Sequence, residues 1–126
     1  MKLFQRIVQL ACLVGLSCSA QAQQSCNASI PEATPTADFV DNGNGTVTHS
    51  RTGLMWKRCA EGQAWSGTTC TGSASTATWA NALKAAVPAN AAGYNDWRLP
   101  NMKELESIVE DKCFSPSINS SIFPNT

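Results

Sequence analysis

The chain has one histidine, one tyrosine and, with only 14% of its 126 residues charged, little titratable material. Each shortage closes a class of function. A zinc site needs several imidazole and thiolate ligands at short spacing, yet His49 stands alone and no two cysteines show Cys-x-x-Cys spacing. A nucleophile-histidine-acid triad would have to use His49, which falls on a stretch read as an exposed strand beside no obvious acid. No serine lies in Gly-x-Ser-x-Gly, and neither His-Glu-x-x-His nor a Gly-rich phosphate loop is present. Asp96, Glu104, Glu106, Glu110 and Asp111 are the carboxylates from which a glycosidase pair would be drawn, but most fall on the water-facing side of one expected helix. No catalytic residues, cofactor or metal are expected. Nine Lys and Arg against nine Asp and Glu leave no basic stripe for phosphates, so nucleic acid is not an expected partner.

Long apolar runs are also missing. Ile7 to Leu16 is shorter than the roughly 20 residues that cross a bilayer. It follows Lys2 and Arg6 and precedes Ala20-Gln21-Ala22, the pattern of a cleaved export signal over residues 1–22. Cleavage after Ala22 leaves no membrane span and sends the chain to the periplasm, the cell surface or the medium. It also leaves seven basic and nine acidic residues, a net charge of −2. Cys12 and Cys18 depart with the signal, and Cys26, Cys59, Cys70 and Cys113 remain. An even number in an exported chain reads as two disulfides, with three possible connectivities. Pairing Cys59 with Cys70 closes a short ring around a Gly/Ser/Thr-rich loop, and Cys26 then ties the N-terminal tail to Cys113. The other pairings stay open at this level.

Residues 23–38, rich in Gln, Ser, Thr and Pro, read as an extended leader, and 39–126 as one domain. "DFVDNGNGTVTHSRTGLMW" is a β-meander. Asn42-Gly43-Asn44-Gly45 supplies the positive φ angles of a tight hairpin, Ser50 to Gly53 forms a second turn, and Val47, Leu54 and Trp56 point inward. The same Asp/Asn/Gly run resembles a calcium loop, but an EF-hand needs a closing glutamate where this chain has Thr52. Trp65 reads as an anchor within the following loop. "TATWANALKAAV" is a helix with Trp79, Ala82, Leu83 and Ala86 on one face, stopped by Pro88.

In "GYNDWRLPNMKELESIVE", Pro100 holds Leu99 extended. Asn101 and Glu104 then form a capping box. Met102, Leu105, Ile108 and Val109 make the apolar face of that second helix, while Lys103, Glu106 and Glu110 face water. Trp97 is expected to anchor the core. Arg98 is expected as a buried partner for Asp96, Glu104 or a carbonyl, with a ligand contact as the alternative.

Laid end to end, "DNGNGTVTHSRTGLMWKRC", "TWANALKAA", "GYNDWRLPNMKELESIV" and "INSSIFPNT" resemble the Lcl C-terminal domain family. That family was long catalogued as a domain of unknown function and is named for the tip domain of a bacterial collagen-like adhesin. The resemblance runs from about Phe39 to Thr126. It implies an exported bacterial α+β domain, a small antiparallel β-meander with two helices, similar to C-type lectin-like and formylglycine-generating-enzyme-like domains. Members usually continue past "FPNT" into a Tyr-Trp-Ser-Ser-rich segment, so the chain is expected to be a C-terminally truncated, incomplete member.

The adhesin is implicated in binding sulfated glycosaminoglycans, which implies a cell-surface or secreted binding module for glycans or similar polymers. An extracellular polysaccharide or glycosaminoglycan is then the expected partner. The residues proposed to serve it are Trp65 and Tyr94, stacking on sugar rings, with Arg98 and a basic patch of Arg51, Lys57 and Arg58. A disulfide-stapled structural envelope protein or a non-functional fragment is the competing reading, and an enzyme of the lectin-like superfold a third.

Overall fold

The structure, a computed structural model, describes residues 23–86 and 90–126. The expected signal with Cys12 and Cys18, and Pro88 as a helix stop, lie outside the described residues. The strands run β1 (Ser25–Cys26), β2 (Phe39–Asp41), β3 (Thr46–His49), β4 (Leu54–Lys57), β5 (Ala64–Trp65) and β6 (Cys70–Thr71). Helices α1 (Trp79–Ala86) and α2 (Met102–Glu106) follow, then β7 (Cys113–Phe114). Among the described residues pairing is antiparallel throughout and gives three small sheets, β1–β7, β2–β3–β4 and β5–β6, so the fold is α+β as expected.

The meander forms where the turn residues demand it. Asp41 Oδ1 accepts the Gly43 N–H at 2.8 Å, and Asn44 Oδ1 accepts the Thr46 N–H at 3.2 Å. These side chains close the β2–β3 turn by bonding backbone two residues on. Asp41 Oδ2 accepts from Arg58 Nη1 at 2.8 Å, so both carboxylate oxygens serve the hairpin and its support rather than a calcium loop. Gly45, at φ +83°, is required twice over. A Cβ there would lie 2.9 Å from Trp65, inside any real contact distance, and the position is left-handed.

Side chains alternate along a strand, so Val47 shares a face with its partner Trp56 and with the His49–Leu54 pair. Val47, Phe39, Ile108, Ile122 and Phe123 are buried there, with Trp56 and Ile118 packed against them. Phe123 meets Phe39 edge-on at 5.7 Å. His49, expected on the exposed face, is buried because it has the same parity as Val47. Its ring stacks on Phe39 at 4.8 Å, and Nδ1 lies 3.0 Å from the Thr52 hydroxyl. Burial holds the His49 pKa below its usual 6.5.

The second helix departs from its sequence pattern. The capping box is present, with Glu104 N–H to Asn101 Oδ1 at 3.0 Å and Asn101 N–H to Glu104 Oε2 at 2.8 Å. Yet α2 ends at Glu106. Past it, Ile108 and Val109 donate to Leu105 and Glu106 in tight turns, and Val109 bridges to Ile118. Only Ile108 of the expected apolar face is fully buried; Met102 is 85% exposed and Leu105 51%.

Glu110, expected in water, is only 3% exposed. Its carboxylate accepts the Ala33 N–H at 3.0 Å, and both the Thr34 N–H and hydroxyl at 2.9 Å. Burial pushes its pKa up, but these bonds and one from the Lys112 N–H outweigh burial and leave it below 4.5.

The leader is therefore a built part of the fold. Cys26 pairs across β1–β7 with Cys113 and is disulfide-bonded to it, while Cys59 is bonded to Cys70. Asn27 N–H donates to Lys112, Gln24 Nε2 to the Pro116 carbonyl, and Asn119 Nδ2 to Thr34. Residues that are 76 to 94 positions apart are thus joined by hydrogen bonds along one seam.

Candidate functional site

The segment after α1 folds back toward β4. Ala91 and Tyr94 exchange backbone hydrogen bonds in a tight turn, with Gly93 at φ +83°. Trp97 closes that turn by donating Nε1–H to the Ala91 carbonyl at 3.0 Å. It is half-buried here and is not among the core residues, contrary to the expectation of a core anchor. It faces β4 across a cleft instead, and Pro100 restricts only Leu99, next to it, to an extended conformation.

Between β4 and this segment lies a cleft of about 420 Å³. Leu54, Met55, Trp56 and Lys57 form one wall, and Tyr94, Asp96, Trp97, Arg98, Pro100 and Glu104 the other. That volume is in the range of small-ligand sites. Tyr94 and Trp97 meet edge-to-face at 6.3 Å with an 87° interplanar angle, so the two rings make a corner.

Glu104 organises the rim. Besides closing the capping box, its two oxygens accept Arg98 Nη1 at 2.7 Å and Nη2 at 2.6 Å. The Arg98 bonds, with the Asn101 N–H, hold the Glu104 carboxyl down to about 2. Arg98 thus has the Glu104 partner expected of it, together with the Leu99 carbonyl at 3.2 Å, but its side chain is 61% exposed rather than buried. Lys57 is paired with Glu61 at 2.9 Å. Asp96 has no hydrogen-bond or ion-pair partner among the described residues.

Of the six residues proposed for binding, the cleft brings together Lys57, Tyr94 and Arg98. The other three lie elsewhere. Arg51 sits in the β3–β4 turn, donating to the Ala33 carbonyl at 3.1 Å and facing Asp38 at 3.5 Å. Arg58 is buried. Its Nε donates to Ile122 at 2.9 Å, Nη2 to Ser121 at 3.2 Å and Nη1 to Asp41, and its guanidinium lies 4.3 Å from the centre of the Trp65 ring. The buried Arg58 and the half-buried Trp65 therefore engage one another, and Arg51, Lys57 and Arg58 do not converge on one patch. Trp56, Asp96 and Trp97 line the cleft without having been singled out for binding. The adjacency of Asp96 and Trp97 to Tyr94 and Arg98 was the available signal for two of them; Trp56 gave none, because an inward strand residue reads as core.

Among the described residues there is no cluster of His, Cys, Asp or Glu that would hold a metal. No described helix is long and apolar enough to cross a membrane. No curated protein and no solved structure matches the chain. The family model of the Lcl C-terminal domain does match, over residues 45–126. That span includes β3, β4, both helices and both walls of the cleft, and by it the chain belongs to the Lcl C-terminal domain family.

Proposed function

We propose that this domain is an exported, non-catalytic binding module for glycans or similar extracellular polymers, acting in the periplasm, at the cell surface or in the medium. The observation that carries the reading is the aromatic corner of Tyr94 and Trp97 opening onto the cleft, with Lys57, Asp96 and Arg98 around it. Apolar ring faces bordered by a few polar groups suit a ligand that is apolar on its C–H faces and polar at its edges. Membership of an adhesin-associated family and two disulfides support an extracellular or surface setting. Retention on immobilised bacterial and host polysaccharides tests the reading. Tyr94→Ala is expected to abolish retention while leaving the circular dichroism spectrum unchanged, since Tyr94 is exposed. Failure of the unaltered protein to be retained on any polysaccharide would count against it.

A purely structural role is the second reading. It is favoured by the internal engagement of Arg58 and Trp65, two residues that a surface binder would present outward.

A further inference from the structure

We infer that the cleft takes an uncharged, polyhydroxylated ligand, a neutral sugar chain, and not a sulfated or carboxylated polymer. The inference rests on the glycan reading above and narrows it. Charge decides it. The lining holds two cations and two carboxylates, and both cations already have acidic partners: Arg98 is bidentate to Glu104, and Lys57 is paired with Glu61. The one lining charge without a partner among the described residues is the carboxylate of Asp96. A sulfate entering here would meet two cations whose charge Glu104 and Glu61 already offset, and would lie in the same cleft as the unpaired carboxylate of Asp96. Like charges held near one another at a protein surface repel strongly enough to set partner choice.

A sugar hydroxyl meets no such obstacle, because it can donate and accept in one place. Asp96 is an exposed acceptor able to take neighbouring hydroxyls. Arg98 has donors to spare: Nη1 serves Glu104 and Leu99 and Nη2 serves Glu104, which leaves part of its five-donor fork open. Lys57 likewise has one contact with Glu61 and further N–H donors beyond it. The lining thus offers both donors and acceptors beside the Tyr94–Trp97 corner, against whose faces the C–H side of a sugar ring packs. A simple organic cation would find Asp96 and the rings, but would face Lys57 and Arg98 in the same cleft.

The test compares neutral oligosaccharides of glucose, galactose and N-acetylglucosamine with heparin oligosaccharides, by calorimetry and tryptophan fluorescence on the purified protein. At least one neutral sugar is expected to bind with an affinity that hardly changes between roughly 50 and 500 mM salt, since no counterions are released. Asp96→Ala and Tyr94→Ala are each expected to weaken it about tenfold or more, the worth of one lost polar or stacking contact. Both positions are exposed, so the variants are expected to keep the native circular dichroism spectrum. Heparin binding that falls steeply with salt and is lost in Tyr94→Ala would overturn the neutral-sugar inference and leave the glycan reading standing. Neutral-sugar binding unaffected by either variant would overturn the assignment to this cleft. Binding of neither class would overturn both the inference and the reading.

Discussion

The sheet body and the helical arm of this protein are built by different means. In the body, β2–β3–β4 and the C-terminal residues Ile108 to Phe123 share an apolar core, and the leader is sewn to them by a disulfide and by the buried Glu110. In the arm, α1 and α2 contain no buried residue. Trp79 is 68% exposed and Leu83 44%, so the apolar stripe of α1 has little against it among the described residues. The contrast shows that amphipathic periodicity specifies a helix without specifying what covers it. One wall of the cleft, β4, belongs to the body, and the other, Tyr94 to Glu104, belongs to the arm.

The strongest way to break that contrast is to open the Cys26–Cys113 link. The two residues are 87 positions apart, so replacing both with serine releases a long loop and is expected to cost about 4–5 kcal/mol in the chain-entropy account. Opening Cys59–Cys70, at a separation of 11, is expected to cost about 3 kcal/mol. Denaturant titration of the two double variants measures the order. A larger loss from the short ring would mean that the leader contributes less than its hydrogen bonds suggest.

A smaller effect is expected at the Glu110 seam. Glu110→Gln replaces an acceptor-only carboxylate that receives from Ala33 and Thr34, and is expected to destabilise by about 2–3 kcal/mol at neutral pH. The sign of the pH dependence follows from the lowered pKa. The unfolded chain takes up the Glu110 proton first, so its stabilisation is present above the ordinary 4.5 and is lost as pH falls through the lower folded value. His49, also lowered, adds an earlier loss that begins as pH falls below 6.5. Thermal melts across pH 7 to 3 should therefore decline in two stages, and Glu110→Gln should flatten the more acidic one. A single-stage decline that the variant leaves unchanged would remove Glu110 from the account. The smallest effect is expected in the arm, where Trp79→Ala should shift stability by no more than about 0.5 kcal/mol. A loss of several kcal/mol would show that α1 is covered in solution.

Much of this was readable in local pattern, and the misreadings share a cause. The Asn42–Gly45 hairpin and the Asn101–Glu104 box were legible because each is closed by groups within a few residues. Arg98 was correctly given Glu104 as one of its possible partners for the same reason, six positions being within local reach. Glu110 and His49 were misplaced because the Thr34 and Phe39 that surround them come from other segments. Arg58 looked like a surface cation until Ile122, 64 positions away, supplied its carbonyl.

The sequence by itself determined the turns, the helix start, the inward parity of Val47, Leu54 and Trp56, and the family to which the chain belongs. Turn and cap chemistry is short-ranged, acting through side chains that bond backbone two or three residues away. Tertiary structure alone decided which polar residues are buried, which apolar faces stay uncovered, and that Lys57, Tyr94, Asp96 and Arg98 line one cleft. The free energy of a polar or charged group depends on whether a partner and an apolar shell arrive with it. Those come from elsewhere in the chain, and only the folded arrangement brings them.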